Sequence, residues 1–319
     1  MALILGLVLR RVLQLIPIIF GVTIIAFVIL NVLPGNVVYA ILGAQATKQS
    51  IATLNTQLGL NHGLVYRYWQ WLDGAFHGNF GYSLLSHQSV TSIITQRAPV
   101  SFELALFAIV LALAFAVPVA TLAARRPGGI ADRLSLTVSM FAISMPSFVL
   151  ALLLILVFAV RLHLTQAVGY TPLSQGILSN LHSLILPAIS LAAFPAAIYL
   201  RVLRGDIVRN LTTAHFVDTA RAKGLSRWKV LLGHVLPNSA FGLMTVVALN
   251  IGTVVGTAVV VEQVFALPGL GQTLVQGIFN RDSPVVQAVV VCLAIAVVGA
   301  NLLADVLYIV FDPRLRHGR

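Results

Sequence analysis

Six stretches of this chain, residues 12–33, 100–124, 134–160, 184–203, 240–261 and 285–311, run predominantly apolar for at least twenty residues each. At ~1.5 Å of rise per residue, twenty helical residues cover the ~30 Å of hydrocarbon in a bilayer. Hydrocarbon offers backbone N–H and C=O groups no partner, and a helix satisfies them within the segment. The sequence therefore reads as all-α: a polytopic membrane protein with six transmembrane helices in one domain over residues 1–319. Its charged fraction of 9% agrees, set against about 25% in a soluble domain.

Lys and Arg give the orientation. Fourteen of the twenty lie in the N-terminal segment (Arg10, Arg11), in loop 125–133, in loop 204–239 and in the tail. Five, Lys48, Arg67, Arg97, Arg161 and Arg281, lie in the alternate loops, and Arg201 sits near one end of the fourth span. Positive charge favours the cytoplasmic side, so both termini and loop 204–239 are expected there. The net charge of +11 then belongs to loops beside anionic lipid rather than to a nucleic-acid surface.

The first run has flanks like those of a signal peptide, Arg10-Arg11 before it and Ala44-Gln45-Ala46 after it. Its apolar core is too long and the Ala-x-Ala too distant, so it reads as a retained anchor. Segment 34–99 is the sizeable external loop. Within it Ile51, Leu54 and Leu58 form a short amphipathic pattern that stops at Gly59. Leu64, Tyr68, Trp71, Leu72 and Ala75 form another, rich in interfacial aromatics. Helices resting on the membrane surface and a platform for an external partner both fit. Pro17, Pro118, Pro146, Pro187 and Pro195 lie inside spans, where each removes a backbone hydrogen bond. The single cysteine, Cys292, leaves no disulfide framework and reads as a small buried hydrophobe.

One basic, polar island interrupts the apolar pattern: FVDTARAKGLSRWKVLLGHVLP, residues 216–237. Thr213 is placed to cap a first helix that ends at Lys223, and Gly224 supplies the residue without Cβ that a helix end favours. Ser226 is placed to cap a second helix whose Trp228, Leu231, Leu232, Val235 and Leu236 share one face at the helical period. Pro237 is expected to end it. A plain interfacial helix and a device that hands movement to another protein both fit.

The order Asp218-Thr219-Ala220, then Gly224, then His234 and Leu236-Pro237 resembles the EAA loop of ABC-importer permeases. Asp218 replaces the usual Glu, and His234 stands where an apolar residue is typical. Further stretches are similar to the dipeptide/oligopeptide/nickel-type permeases. LRRVLQLIPIIFGVTIIAFVILNVLPGN opens the series, with Asn36 in place of Asp. LGLNHGLVYRYWQWL, GNFGYSL, ISMPSFVLALLL, VEQVFALPGLGQTL and RDSPVVQ follow, the last with Ser283 where Tyr is frequent, and DVLYIVFDPRLR closes the chain.

The resemblance covers both ends, and is to the first of the two permeases of such systems. It implies a type I ABC importer permease, a multi-pass subunit of the bacterial inner membrane. The cargo implied is short peptides, with nickel or another small solute as the alternative. The partners implied are a second permease, two ATPase subunits or domains that carry the ATP and Mg, and an external substrate-binding protein. Phe216, Asp218, Thr219, Ala220, Gly224, Trp228, Leu236 and Pro237 would form the coupling loop. Its small Asp218-Thr219-Ala220 arm would suit close seating in an ATPase groove.

The chain has no G-x-x-x-x-G-K-[ST] to cradle phosphate, so no cofactor is expected in it. Without G-x-S-x-G, H-E-x-x-H or paired cysteines it is not read as an enzyme. His62, His77 and His87 share a loop but lack ligand spacing, so no metal site is expected. Glu103, Arg201, Asn250, Glu262, Asn301 and Asp305 are polar positions in or at the edges of spans, where such groups need partners. Asn250, Gly252, Gly256 and Glu262 are the candidate pathway or inter-subunit set, although a hydrogen bond to a neighbouring helix accounts for Asn250 equally well. A secondary transporter is the rival class. It would need internal repeats and ionisable midplane residues, and the chain has no clear repeat and few charges within its spans.

Overall fold

The computed structural model describes residues 2–32, 42, 47–57 and 59–311. In chain order its helices are α1 (Ala2–Val32), α2 (Lys48–Gln57), α3 (Leu64–Phe76), α4 (Val90–Ala124), α5 (Ile130–Ser144) and α6 (Ser147–Arg161). There follow α7 (Ile177–Thr213), α8 (His215–Ala222), α9 (Arg227–Val264), α10 (Leu270–Phe279) and α11 (Ser283–Phe311). No strand occurs among the described residues; Tyr82 and Ser89 make one isolated bridge.

Among the described residues, α4, α7, α9 and the Ser283–Ala304 part of α11 are each long and apolar enough to cross a bilayer. α5 and α6 are together long and apolar enough for a fifth, as a broken span or a re-entrant loop, with a bend of 103° between them. The span expected over 134–160 is interrupted at Pro146, one of the prolines read as lying inside a span. The residue before a proline is pushed out of helical geometry, and Met145 accordingly has φ −91° and ψ 119° ahead of Pro146. The expected first span corresponds to α1, a helix of 31 residues that includes the apolar stretch Ile16–Ile29. Asn36, Ala44–Ala46, Leu58 and the tail 312–319 lie outside the described residues, as do the side chains of Arg10, Arg11 and Asp305.

The chain forms two compact units. One comprises the chain up to Ser101 together with Pro268–Val298. Val90 and Ile94 of α4, Leu270 of α10 and Val285, Ala288 and Val289 of α11 form one of its cores. In a second cluster Phe27 of α1 meets Tyr68 and Leu72 of α3, and the Thr23 and Tyr68 hydroxyls lie 2.8 Å apart. The Asp282 carboxylate, 4% exposed, accepts from the Ser83 hydroxyl and from the Leu84 N–H at 3.2 Å. That contact joins two of the motifs read from the sequence, GNFGYSL and RDSPVVQ, across 199 positions.

The other unit is Phe102–Leu267 with the end of α11. α7 is its central helix and packs on α5, α6 and α9. Pro187 and Pro195 stay within α7, and the Ser190 hydroxyl donates back to the Pro187 carbonyl at 2.7 Å. Leu104, Ala108, Ala112, Ala116 and Ala120 make a fully buried row at every fourth position of α4, a spacing that keeps small side chains on one helix face. Glu103 has the partners such a position needs: its carboxylate accepts from the Tyr170 hydroxyl at 2.7 Å and the Asn180 amide at 3.2 Å. Burial first, then the Glu103 carboxylate, push the Tyr170 hydroxyl up to about 12, so at neutral pH it keeps its proton and donates.

Candidate functional site

The 216–237 island follows the end of α7 and takes in α8 and the first turns of α9. α7 ends at Thr213, whose hydroxyl donates to the Arg209 carbonyl at 2.9 Å. Thr213 therefore finishes one helix rather than capping the next. Ala214, extended at φ −90° and ψ 117°, makes the break, and α8 starts without a side-chain cap. At the other end of α8 the expectation holds. Gly224 has φ +77°, its N–H donates to Arg221 O at 2.9 Å, and Leu225 N–H donates to Ala220 O at 3.3 Å. This is a Schellman closure, and a residue with a Cβ enters that conformation at a cost.

Ser226 then caps the next helix, its hydroxyl accepting from the Lys229 N–H at 3.4 Å. Pro237 does not end that helix. Leu231–Val235 adopt a wider π turn, and the helix continues from Leu236 through Val264. The extra residue in the turn lets the chain take up a proline, which has no N–H and whose ring crowds the preceding turn. It also changes which residues face inward. Val230, Leu231 and Val235 are buried, while Trp228 and Leu232 are exposed. Leu236 is half-buried and Pro237 exposed. His234 is exposed too, so its polarity costs nothing there.

In α8, Val217 and Ala220 are buried against the chain itself. Phe216, Asp218 and Thr219 are exposed. The small arm is thus split: Ala220 serves internal packing, and the free face carries Phe216, Asp218 and Thr219. Asp218 sits in the first turn, where a negative charge is favoured by the helix dipole.

The frame that holds α8 is tied at several points. The Asn210 amide donates to the Ser239 hydroxyl at 2.9 Å, linking α7 to α9. Gly242 of α9 lies so close to the Asp206 carboxylate of α7 that an added Cβ would collide with it. The Arg125 guanidinium, just past the end of α4, lies 4.8 Å from the Trp228 ring centroid. Arg204 of α7 grips Asp132 of α5 with two hydrogen bonds, Nε to Oδ1 at 2.8 Å and Nη2 to Oδ2 at 2.7 Å. The Gly128 N–H adds a third at 2.8 Å. Sequence reading counted Arg204 and Arg125 only for topology and passed over Asp132. The available signal was an acid inside an otherwise basic loop.

The candidate pathway residues are not brought together into a polar site. The Asn250 amide donates to the Val246 carbonyl of its own helix at 2.9 Å. Gly252 is half-buried and Gly256 exposed, with open space where a Cβ would stand on Gly256. Glu262 is 1% exposed, and its backbone carbonyl accepts from the Leu267 N–H at 2.9 Å. Among the described residues no group of three His, Cys, Asp or Glu is placed to hold a metal ion.

Comparison with known proteins agrees across the chain. Residues 116–317 match the family described as binding-protein-dependent transport system inner membrane component, and residues 4–105 match its N-terminal companion. A peptide transport system permease protein of Brucella abortus is 36% identical over 98% of this chain and 99% of its own length. A peptide ABC transporter permease protein of Sinorhizobium fredii is 34% identical, over 97% and 99%. The glutathione transport system permease protein of Escherichia coli K12 is 35% identical, over 97% and 98%. With both family models matched in order and relatives aligned end to end, the chain belongs to the inner-membrane components of binding-protein-dependent transport systems.

Proposed function

We propose that this chain is one of two paired permeases in an ATP-driven importer of short peptides, and that α8 is its coupling helix. In this reading both termini and the 204–239 stretch face the cytoplasm. Two ATPase subunits or domains, which carry the ATP and Mg, seat the exposed Phe216–Asp218–Thr219 face. A binding protein delivers cargo from the other side, and peptide passes between this chain and its partner permease. ATP-driven closure displaces α8 and shifts the pair between its two access states.

The observation that carries the reading is the split character of α8. One face is buried on a frame tied by hydrogen bonds, and the other is left exposed with an aromatic side chain. A helix meant only to rest on lipid has no need to bury Val217 and Ala220 against the chain. The charge bias of the loops supports the orientation. Relatives named for peptide and glutathione transport support the cargo class.

The test is reconstitution with both permeases, ATPases and binding protein, comparing Phe216→Asp and Gly224→Val with wild type. Each variant is expected to reach the membrane and pair with the second permease. Each is expected to lose uptake and the stimulation of ATP hydrolysis by loaded binding protein. Wild-type values for both quantities in both variants would reduce α8 to a surface helix.

A further inference from the structure

We infer that Asp132 and Arg204 are positioning residues of the coupling machinery: they make α5 move with α7, so that a displacement of α8 reaches the break at Pro146. The inference rests on the reading of α8 as the coupling helix and names how its movement travels inside this chain.

Asp132 stands in the first turn of α5 and is 2% exposed. A guanidinium fork on both carboxylate oxygens resists sliding and rotation together, which a single hydrogen bond or an apolar contact does not. The Gly128 N–H on the same carboxylate fixes the preceding loop, where Gly128 has φ +77°. Arg204 lies on α7, which leads through Ala214 directly into α8. On the other flank, Arg125 lies over Trp228 of α9. The start of α5, the helix α7, the coupling stretch and the start of α9 are therefore joined in a closed ring of contacts.

The far end of α5 is different in kind. Its helical ladder stops at Met145, and α6 resumes at a steep angle, packed on α7 and α9. α5 is thus a rod of 15 residues, tied at one end and interrupted at the other. Movement of α7 and α8 can swing it about the break, where a continuous helix would have to bend. An apolar cleft of about 350 Å³ lies alongside α5, lined by Val138, Ser139 and Ala142 together with Phe115, Ile189 and Ala193.

A pair that only stabilised the fold would behave differently from one that transmits movement, and charge balance separates the two. The experiment uses the complete reconstituted transporter in proteoliposomes. It records uptake of a labelled di- and tripeptide mixture, ATP hydrolysis and thermal unfolding of the complex. Asp132→Asn leaves the guanidinium without its counter-charge. Asp132→Asn/Arg204→Gln removes both charges, and Arg204→Lys keeps the charge but loses the fork. The double variant is expected to unfold near the wild-type temperature yet to import about tenfold less peptide per ATP hydrolysed, within the roughly 5–150-fold range of coupling between distant sites. Arg204→Lys is expected to show the same loss in smaller measure. Recovery of uptake per ATP along with stability in the double variant, or a wild-type ratio in Arg204→Lys, overturns the inference. Gly224→Val runs alongside as the probe of the coupling reading itself. Where Gly224→Val uncouples and the Asp132 and Arg204 variants do not, only the linkage fails. Where Gly224→Val also behaves as wild type, the coupling reading fails with it.

Discussion

Two aspartates, Asp132 and Asp282, do the same job by different chemistry. Each is almost fully buried, and each joins segments far apart in sequence, 72 positions for one and 199 for the other. Burying a carboxylate costs several kcal/mol of lost hydration, which must be offset locally. Asp132 meets a cation in a two-pronged grip. Asp282 sits among neutral donors, the Ser83 hydroxyl and the Leu84 N–H. The first arrangement fastens one rigid helix to another and concentrates the dependence on a single partner. The second secures a turn, because the Ser83 hydroxyl oxygen also accepts from the N–H groups of Leu85 and Ser86. One site is a fastening between helices; the other is a cradle for a loop.

The largest expected effect comes from removing the cation. Arg204→Met leaves Asp132 buried with the Gly128 N–H as its remaining hydrogen-bond donor, and an unpaired buried charge costs about 3–5 kcal/mol. Thermal unfolding of the purified complex in detergent should show a marked drop, and Asp132→Asn in the same chain should restore part of it. A change no larger than that of Ser83→Ala would erase the distinction between the two sites.

Ser83→Ala is expected to cost about 1.5–3 kcal/mol, the range for a hydrogen bond to a charged group, with the Leu84 N–H still in place. Its signature should be local. Amide exchange should rise over residues 83–90 and stay as in the wild type around Asp132. If exchange rises equally in both places, the two aspartates belong to one cooperative network and the contrast between them disappears.

What could be read in the sequence followed how local the physics was. Gly224 and Ser226 were legible because a helix cap is decided within a few residues, and the turn they make has the expected geometry. Thr213 misled because a threonine hydroxyl bonds either forward as a cap or back to its own helix, and here Arg209 O takes it. Pro237 misled because a π turn let the helix continue through it. Ala220 looked like a seat for another protein, since its size suits a tight contact on either side; only packing turned it inward. The broken span was hidden by unbroken hydropathy, although Met145-Pro146 marked the place. Neither buried aspartate could be paired from sequence alone. The charges of Asp132 and Arg204 have evident signs, but nothing local pairs them, and the resemblance carried by RDSPVVQ says nothing of what Asp282 contacts.

The smallest expected effect tests a third way of holding a charge. Arg125 presents its guanidinium to the face of Trp228, which is 39% exposed. Such a contact at an exposed site is worth about 0.5–1 kcal/mol, too little to read in a melting curve beside the loss of Arg204. It is readable in the tryptophan itself. The chain has three tryptophans, so Trp69→Phe and Trp71→Phe leave Trp228 as the single reporter. In that background Arg125→Gln should make Trp228 fluorescence more accessible to an uncharged aqueous quencher, while Arg125→Lys, which keeps a cation near the ring, should change it less. A neutral quencher such as acrylamide separates uncovering of the ring from the altered local charge. Unchanged acrylamide quenching in both variants would mean the guanidinium does not cover the ring, and the ring of contacts around the coupling stretch would lose its link between Arg125 and α9. A rise in Arg125→Gln without a change in unfolding would place this contact where its exposure puts it: a weak tie that orients a loop, beside a buried pair that fastens helices.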